Sequence, residues 1–253
     1  MPRKQGNRKF SSAKENSRIK PKRFTTAGER MLKEPRAILL CEDTSSALYY
    51  FKFFVRSFDL NVDIEPKSKQ EPKSKSKIEL NKIFARAKYF HDTNSNRRIM
   101  LAYDLDEFYR KNNPKNPNKH AYEKFLKDNE NNKNIIYLDT FPCFEFWLLI
   151  HFCESKKYYD SYEELFKDLT KKCHANKFPV EAKSSSHYYC KSQKYWENLC
   201  NDLFKYFPKK NLKDAISCSR AYKLKIGVNS HSNIWKFFEK YASKIDFLSD
   251  VFV

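Results

Sequence analysis

The sequence predicts an α/β fold with a mainly parallel central sheet, and three observations support this prediction. Short continuous apolar runs recur along the chain, as they do in strands that are buried on both faces of a sheet. Segments with apolar residues at helical spacing lie between these runs. Polar turns with acidic residues directly follow two of the runs. Strands that alternate with helices form right-handed crossovers, and such crossovers produce a parallel sheet.

Three apolar runs and one short segment that contains Asp63 are predicted as strands, and four further segments are predicted as helices. The predicted strands span residues 37–41, 62–64, 99–103 and 135–138. The predicted helices begin near Leu48 and then cover residues 78–90, 121–129 and 144–152. After residue 154 the chain is predicted to be mainly helical, with core positions at Tyr195, Trp196, Leu199, Leu203 and Phe204.

These patterns divide the chain into three predicted parts. Residues 1–33 carry 11 Lys and Arg side chains against two Glu and have few apolar residues, so we predict a mobile basic arm. Residues 34–153 contain the four predicted strands and form the predicted α/β domain. Residues 154–253 form a mainly helical extension that is expected to pack on that domain. Within the α/β domain, residues 67–77 form a predicted lysine-rich exposed loop.

The composition limits the class of function. The chain has 253 residues, of which 40% are apolar and 16% aromatic, so it has the material for a substantial core. A formal net charge of +19 attracts phosphate backbones, which makes nucleic acid the first partner to expect. Only three glycines occur, which excludes the glycine-rich phosphate loops of nucleotide-binding motifs. We therefore expect any ATP-driven step to depend on a partner protein.

The cysteines and the apolar segments predict the location of the protein. The seven cysteines are scattered, and none forms the Cys-x-x-Cys pair that indicates a zinc site. Scattered thiols fit the reducing cytoplasm. The basic N-terminus is not followed by the apolar stretch of a signal peptide, and the most apolar run, residues 144–152, is shorter than the roughly 20 residues that span a bilayer. We therefore expect a cytoplasmic protein with no membrane partner.

Acidic residues follow two of the predicted strands. Glu42 comes directly after the first strand, and Asp104 and Asp106 follow the third. The carboxyl ends of parallel strands meet at one edge of the sheet, so these carboxylates are expected to lie close together. Clustered carboxylate oxygens suit Mg²⁺ or Mn²⁺, which offsets their mutual repulsion and stabilises charge during phosphoryl transfer. The sequence thus predicts a metal site formed by Glu42, Asp104 and Asp106.

Three motifs in the chain resemble those of the RloB-like family. The first is LCEDTSSALYYF at residues 40–51, the second is YDLDEF at residues 103–108, and the third is FPCFEFWLLIHF at residues 141–152. The resemblance covers residues 36–240, and it is similar only in outline after residue 215. It implies a Toprim-like Rossmannoid fold, the pattern shared by topoisomerases, primases and OLD-type nucleases.

The resemblance also implies roles for four acidic residues. Glu42 would act as a general acid or base or as a metal ligand, and Asp104 and Asp106 would be metal ligands. Glu145, at the centre of the third motif, would be a further catalytic acid that reaches the metal or a water molecule. The alternative for Glu145 is a place in the first turn of a helix after Pro142, where the helix dipole favours an acidic side chain.

The chain departs from the family motifs at three positions. Asp43 stands where many members have Gly, Ser46 where they have Glu, and Phe141 where they have Asn. The Ser46 difference removes one possible auxiliary carboxylate, so the number of metal ions is left open. His151, on the apolar helix of the third motif, is interpreted as a hydrogen-bonded core residue and not as a catalytic one.

The function that the resemblance implies is metal-dependent cleavage of phosphodiester bonds in RNA, such as tRNA, or in DNA. RloB-like proteins are encoded beside an AAA-type ATPase in bacterial restriction or defence loci, so we expect an antiphage effector paired with an ATPase. Two alternatives are left open. One is a non-catalytic basic module that binds nucleic acid or docks on the ATPase. The other is strand passage, which requires a nucleophilic tyrosine, and the sequence singles out none of its 16 tyrosines. The oligomeric state is not predicted.

Overall fold

The structure of the protein is a computed structural model that describes residues 35–66, 79–109, 117–176, 193–201, 203–223, 225 and 228–252. Residues 35–253 form one compact unit. The predicted basic arm and the predicted lysine-rich loop lie outside the described residues.

Strands and helices alternate up to residue 150, and helices dominate after it. The strands are β1 (Ala37–Cys41), β2 (Val62–Glu65), β3 (Ile99–Asp104), β4 (Ile135–Phe141) and β5 (His231–Ser232). The first helices are α1 (Ser46–Ser57), α2 (Leu80–Thr93), α3 (Asp106–Tyr109), α4 (Pro117–Asp128) and α5 (Phe144–Ile150). The later helices are α6 (Tyr162–Ala175), α7 (Gln193–Leu199), α8 (Leu203–Tyr206), α9 (Lys209–Ala221) and α10 (Trp235–Tyr241). In the part of the chain that the structure describes, no helix has the length and apolar character needed to cross a membrane.

The strands form one five-stranded sheet in the order β2-β1-β3-β4-β5. The first four strands are parallel to one another, and β5 pairs antiparallel with the carboxyl end of β4. The predicted α/β fold with a mainly parallel sheet is therefore confirmed. The four predicted strands are all present, and three of them continue one to three residues beyond the predicted carboxyl end.

Both faces of the sheet are buried at β1 and β3, which explains why these two strands are apolar without alternation. One core cluster includes Leu39, Met100 and Leu138 and packs under α1, α5 and the later helices. The other includes Leu40 and Leu101 and packs under α2 and α4. Neighbouring residues of a strand enter opposite clusters because side chains alternate along a strand. Helices cover the two faces of the sheet, so the ends of the strands are left as its accessible parts.

The C-terminal part of the chain completes the same core. Phe237 contacts the ring of Phe51 at a centroid distance of 5.0 Å, and Phe238 contacts Phe54 at 4.9 Å. The predicted core residues Tyr195, Trp196, Leu199 and Leu203 are buried, and Phe204 packs against them. The prediction of a helical extension omitted β5, a two-residue strand too short to show any periodicity. The proposed domain boundary at residue 153 stays a prediction.

Candidate active site

The predicted acidic residues lie at the point where the sheet changes its order. From β1 the chain passes to β2 on one side, and it then crosses to β3 on the other side of β1. Open parallel sheets bind ligands in the crevice beyond the carboxyl ends of the strands at such a point. Glu42 directly follows β1, and Asp104 is the last residue of β3. Both residues therefore lie where the topology forms a crevice.

A direct contact joins these two residues. The backbone N–H of Asp104 donates to Oε2 of Glu42 at 2.8 Å. The backbone N–H of Glu42 donates to the carbonyl of Ala102 at 2.9 Å, which continues the β1–β3 ladder one residue past the strand. Glu42 and Asp104 are 2% and 4% exposed, so burying two carboxylates here would be costly without compensating donors or a cation. The hydrogen bond fixes the orientation of the Glu42 side chain relative to Asp104.

The Asp104 carboxylate is oriented from the β4 side. Its Oδ1 accepts the backbone N–H of Phe144, the first residue of α5, at 2.8 Å. The Thr140 hydroxyl lies 3.3 Å from the same oxygen. Both donors come from the segment around the β4–α5 turn, which follows directly from the pairing of Asp104 with Thr140 in the sheet. One oxygen of Asp104 is thus held by the protein frame.

Asp106 and Glu145 lie at the same edge of the sheet. Asp106 begins α3, and its backbone N–H donates to the carbonyl of Pro142 at 3.1 Å. Glu145 is fully buried in the first turn of α5, next to the residue that contacts Asp104. The structure therefore brings all four predicted residues to the carboxyl edge, and the contacts described above join Glu42 to Asp104. The roles of Asp106 and Glu145 stay predictions.

The chemistry of this edge fits a hard divalent cation. Among the described residues, no three His, Cys, Asp or Glu side chains are grouped so as to hold a metal ion. Mg²⁺ keeps several of its waters, and proteins bind it through one or two carboxylates together with substrate phosphates. Glu42 and Asp104 fit that mode of binding, because each is a buried oxygen donor on neighbouring strands. The full set of three predicted ligands stays a prediction.

Asp43, which replaces a family glycine, holds the start of α1. Its carboxylate accepts the backbone N–H of Ser45 at 2.9 Å and of Ala47 at 3.0 Å. It also accepts the hydroxyl of Ser45 at 2.7 Å and the hydroxyl of Ser46. These donors include N–H groups of the first helical turn, which have no partner within a helix. Asp43 is therefore a helix cap, and the polar turn after β1 caps a helix as its residue types indicate.

Replacing Asp43 by alanine should lower the free energy of unfolding by about 0.5–2 kcal/mol, the usual cost of losing a capping side chain. Urea unfolding followed by circular dichroism measures this loss. Asp43→Asn keeps one acceptor oxygen and should lose less. An Asp43→Ala protein as stable as the wild type would show that the cap contributes nothing.

His151 is a core residue, as the sequence analysis interpreted it. Its Nδ1–H donates to the carbonyl of Trp147 at 2.8 Å, and its Nε2 accepts the hydroxyl of Tyr50 at 3.2 Å. Burial lowers the pKa of His151 to about 4, so the ring is neutral at physiological pH. Both ring nitrogens are used in this arrangement, which leaves His151 a structural role.

Thr140 and the neighbouring Asp139 and His231 are not among the residues predicted from the sequence. Asp139 is buried on β4 and accepts the side-chain amide of Asn233 at 3.0 Å, and its Oδ2 lies 3.6 Å from Nε2 of His231. Burial alone would raise the pKa of Asp139, but the contacts with His231 and Asn233 outweigh it and hold that pKa below its usual value. The sequence does carry a sign of Asp139 and Thr140, because both are polar residues at the end of a predicted strand. His231 gave no signal, because it lies in the unpredicted strand β5.

Comparison with known proteins identifies one relationship. The family model described as RloB-like protein matches residues 37–246. The match includes the whole sheet and all four predicted acidic residues. No curated protein and no solved structure matches the chain.

Proposed function

From the premise that this chain belongs to the RloB-like protein family, we propose that it is a divalent-metal-dependent nuclease of the Toprim type. The observation that carries the proposal is the contact between Glu42 and Asp104 at the switch point of the sheet. Two buried acidic residues, joined by a hydrogen bond from the Asp104 backbone to the Glu42 carboxylate, are costly for the fold alone. A bound cation accounts for that arrangement, and phosphodiester cleavage is a reaction that such a cation assists.

Nucleic acid is the proposed substrate because the protein is strongly basic. A net charge of +19 favours binding to a phosphate backbone through counterion release. The carboxyl edge of the sheet, with its predicted acidic residues, is called the acidic edge below. It would repel phosphates on its own, so a cation at Glu42 and Asp104 would also make that edge compatible with this substrate. Binding of metal and binding of nucleic acid are therefore expected to support each other.

The roles of the residues follow from their contacts. Asp104 and Glu42 would hold the cation, and the family resemblance adds Asp106. When bound, the cation would stabilise the charge that develops on the attacked phosphate. Phe144 N–H and the Thr140 hydroxyl keep the Asp104 carboxylate in a fixed orientation. The Asp104 N–H does the same for Glu42, whose position also suits proton transfer to or from a reacting group. Glu145 would add a buried acidic group beside them.

An ATPase is the proposed protein partner. The chain has three glycines and no glycine-rich phosphate loop, so any dependence on ATP requires a second protein. The family resemblance implies an AAA-type ATPase and a role as the effector of an antiphage defence system. In that arrangement the nuclease would be restrained until infection releases it.

A non-catalytic binding module is the second candidate function. It is favoured by the absence, among the residues that the structure covers, of three side chains grouped to hold a metal. In this case the basic surface would bind nucleic acid, with an affinity that falls steeply as salt rises. The acidic edge would have no catalytic role.

The test is cleavage of bulk tRNA and of plasmid DNA by the purified full chain with Mg²⁺, Mn²⁺ or EDTA. We expect cleavage with a metal and none with EDTA, and the substrate that is cut decides between RNA and DNA. Glu42→Gln should abolish cleavage because it removes the charge while keeping the shape. The matched control is Glu123→Gln on α4, whose exposed side chain lies 3.9 Å from the ammonium group of Lys119.

If the wild type binds nucleic acid but cuts neither substrate with any metal, the assay is repeated with the proposed ATPase partner. Cleavage that begins only then identifies a restrained effector. Continued binding without cleavage would reject the nuclease and support the binding module.

A further inference from the structure

The carboxyl end of β4 is connected to the C-terminal part of the chain through β5. Thr140 pairs with Ser232, and Phe141 pairs with His231. The backbone N–H of Asn233 donates to the carbonyl of Asp139 at 2.8 Å. These contacts join segments that are about 90 residues apart in sequence, at the carboxyl end of β4.

A group of buried and half-buried polar side chains strengthens this junction. The group, which we call the β5 lock, consists of Asp139, His231 and Asn233. Asn233 donates its side-chain amide to Oδ1 of Asp139, and the His231 ring lies beside Oδ2 at 3.6 Å. The other ring nitrogen of His231 lies 3.4 Å from the carbonyl of Tyr222. Asp139 and His231 are 8% and 7% exposed, so their contacts are shielded from water and strengthened by the low local dielectric.

The β5 lock lies next to the residue that orients Asp104. The Thr140 hydroxyl is 3.3 Å from Oδ1 of Asp104 and 3.5 Å from the carbonyl of Tyr103. The carboxylate is the charged and nearer acceptor, so it is the favoured partner. Thr140 follows Asp139 in β4, and its own β5 partner, Ser232, is fully buried and accepts the Ser219 hydroxyl at its carbonyl. Thr140 is therefore held between Asp104 on β3 and Ser232 on β5.

We propose that Thr140 is a positioning residue for the Asp104 carboxylate and that the β5 lock holds Thr140 in place. The C-terminal segment is then part of the active site through the pairing of β5 with β4. Ile234 supports this assignment, because it lines a small gap at the site together with Asp104, Thr140 and Phe144. The catalytic consequence rests on the proposed nuclease function, but the positioning of Asp104 does not.

The first test therefore measures the position of Asp104 without any reaction. Hydrogen exchange of the backbone amides of Asp104 and Phe144 is followed by NMR in the metal-free full chain. The Asp104 amide donates to the Glu42 carboxylate, and the Phe144 amide donates to the Asp104 carboxylate. Their protection from exchange therefore reports how firmly the two carboxylates are held. Thr140→Val, which keeps the side-chain shape, and His231→Ala should each speed exchange of Phe144. Thr140→Ser should restore wild-type protection.

The matched control is Tyr50→Phe. It removes a buried hydrogen bond to His151 and keeps the ring that packs on Phe144. The exchange rate of the Phe144 amide is first corrected for the change in global stability of each variant. The corrected rate should then be about tenfold higher in the two test variants than in the control. An increase no larger than in the control would overturn the proposal. Should His231→Ala fail to fold, Asp139→Asn and Thr140→Val provide the same comparison.

The second test uses activity, and it separates the two proposals. Outer residues that orient a metal-binding side chain typically contribute about 10–100-fold to metal affinity or activity. We expect Thr140→Val to lower kcat by this amount. In the double variant, His231→Ala should cause no further loss of kcat, because His231 acts through Thr140. Fully additive losses would contradict the role of the lock. A wild type that binds no metal and cuts nothing even with the ATPase would reject the nuclease, while the exchange test would still decide the positioning.

Discussion

Asp104→Asn is expected to abolish metal-dependent cleavage while leaving the fold intact. Asparagine keeps the shape and one acceptor oxygen, so the Phe144 N–H and the Thr140 hydroxyl retain their partner. The substitution removes the negative charge that would hold the cation. The loss should exceed the roughly 100-fold upper end of the cost of outer-shell changes, because this residue would touch the metal itself. Cleavage assays in Mg²⁺ and in Mn²⁺ measure the effect.

The control for this prediction is the stability and nucleic-acid binding of the same variant. In EDTA, Asp104→Asn should bind nucleic acid at least as well as the wild type, since one carboxylate charge fewer repels the phosphates. Its unfolding transition in urea should stay close to that of the wild type. Cleavage that survives in Asp104→Asn would show that the assigned site is wrong, even if the protein is a nuclease.

Phe238→Ala should lower the free energy of unfolding of residues 35–253 by about 3–5 kcal/mol, the usual cost of deleting a fully buried phenylalanine. Phe238 is fully buried, and its ring lies 4.9 Å from Phe54 and is stacked 5.9 Å from Trp147. It thus joins α10 to α1 and α5. Such a loss is a large part of the roughly 5–15 kcal/mol that stabilises a typical domain.

This variant also tests the predicted domain boundary at residue 153. If residues 35–253 unfold as one unit, urea melts followed by tryptophan fluorescence and by circular dichroism will coincide, and both will shift to lower urea. Two separate transitions, with only one of them shifted, would show instead that residues 154–253 fold as a domain of their own. Val228→Ala, at a position that is 54% exposed, is the control and should change stability by less than about 0.5 kcal/mol.

The sequence determined the frame of the protein and the location of its acidic edge. Residues 37–41 and 99–103 are apolar without interruption because both faces of the sheet are covered, and this pattern is visible without any tertiary information. Glu42 and Asp104 lie at the carboxyl ends of two predicted strands, and parallel strands place their carboxyl ends together. The polar turn that contains Asp43 likewise indicates a helix start from residue type alone.

Only the tertiary structure decided which groups surround those acids. The contact of Thr140 with Asp104 depends on the register between β3 and β4, and the contact of His231 with Asp139 depends on the antiparallel addition of β5. A two-residue strand has no periodicity, and its partner lies about 90 residues earlier in the chain. Hydrophobic patterning reports which face of a segment is buried, but it carries no information about pairing between segments that are distant in sequence. The acids could therefore be found from the sequence, whereas the contacts that orient them could not.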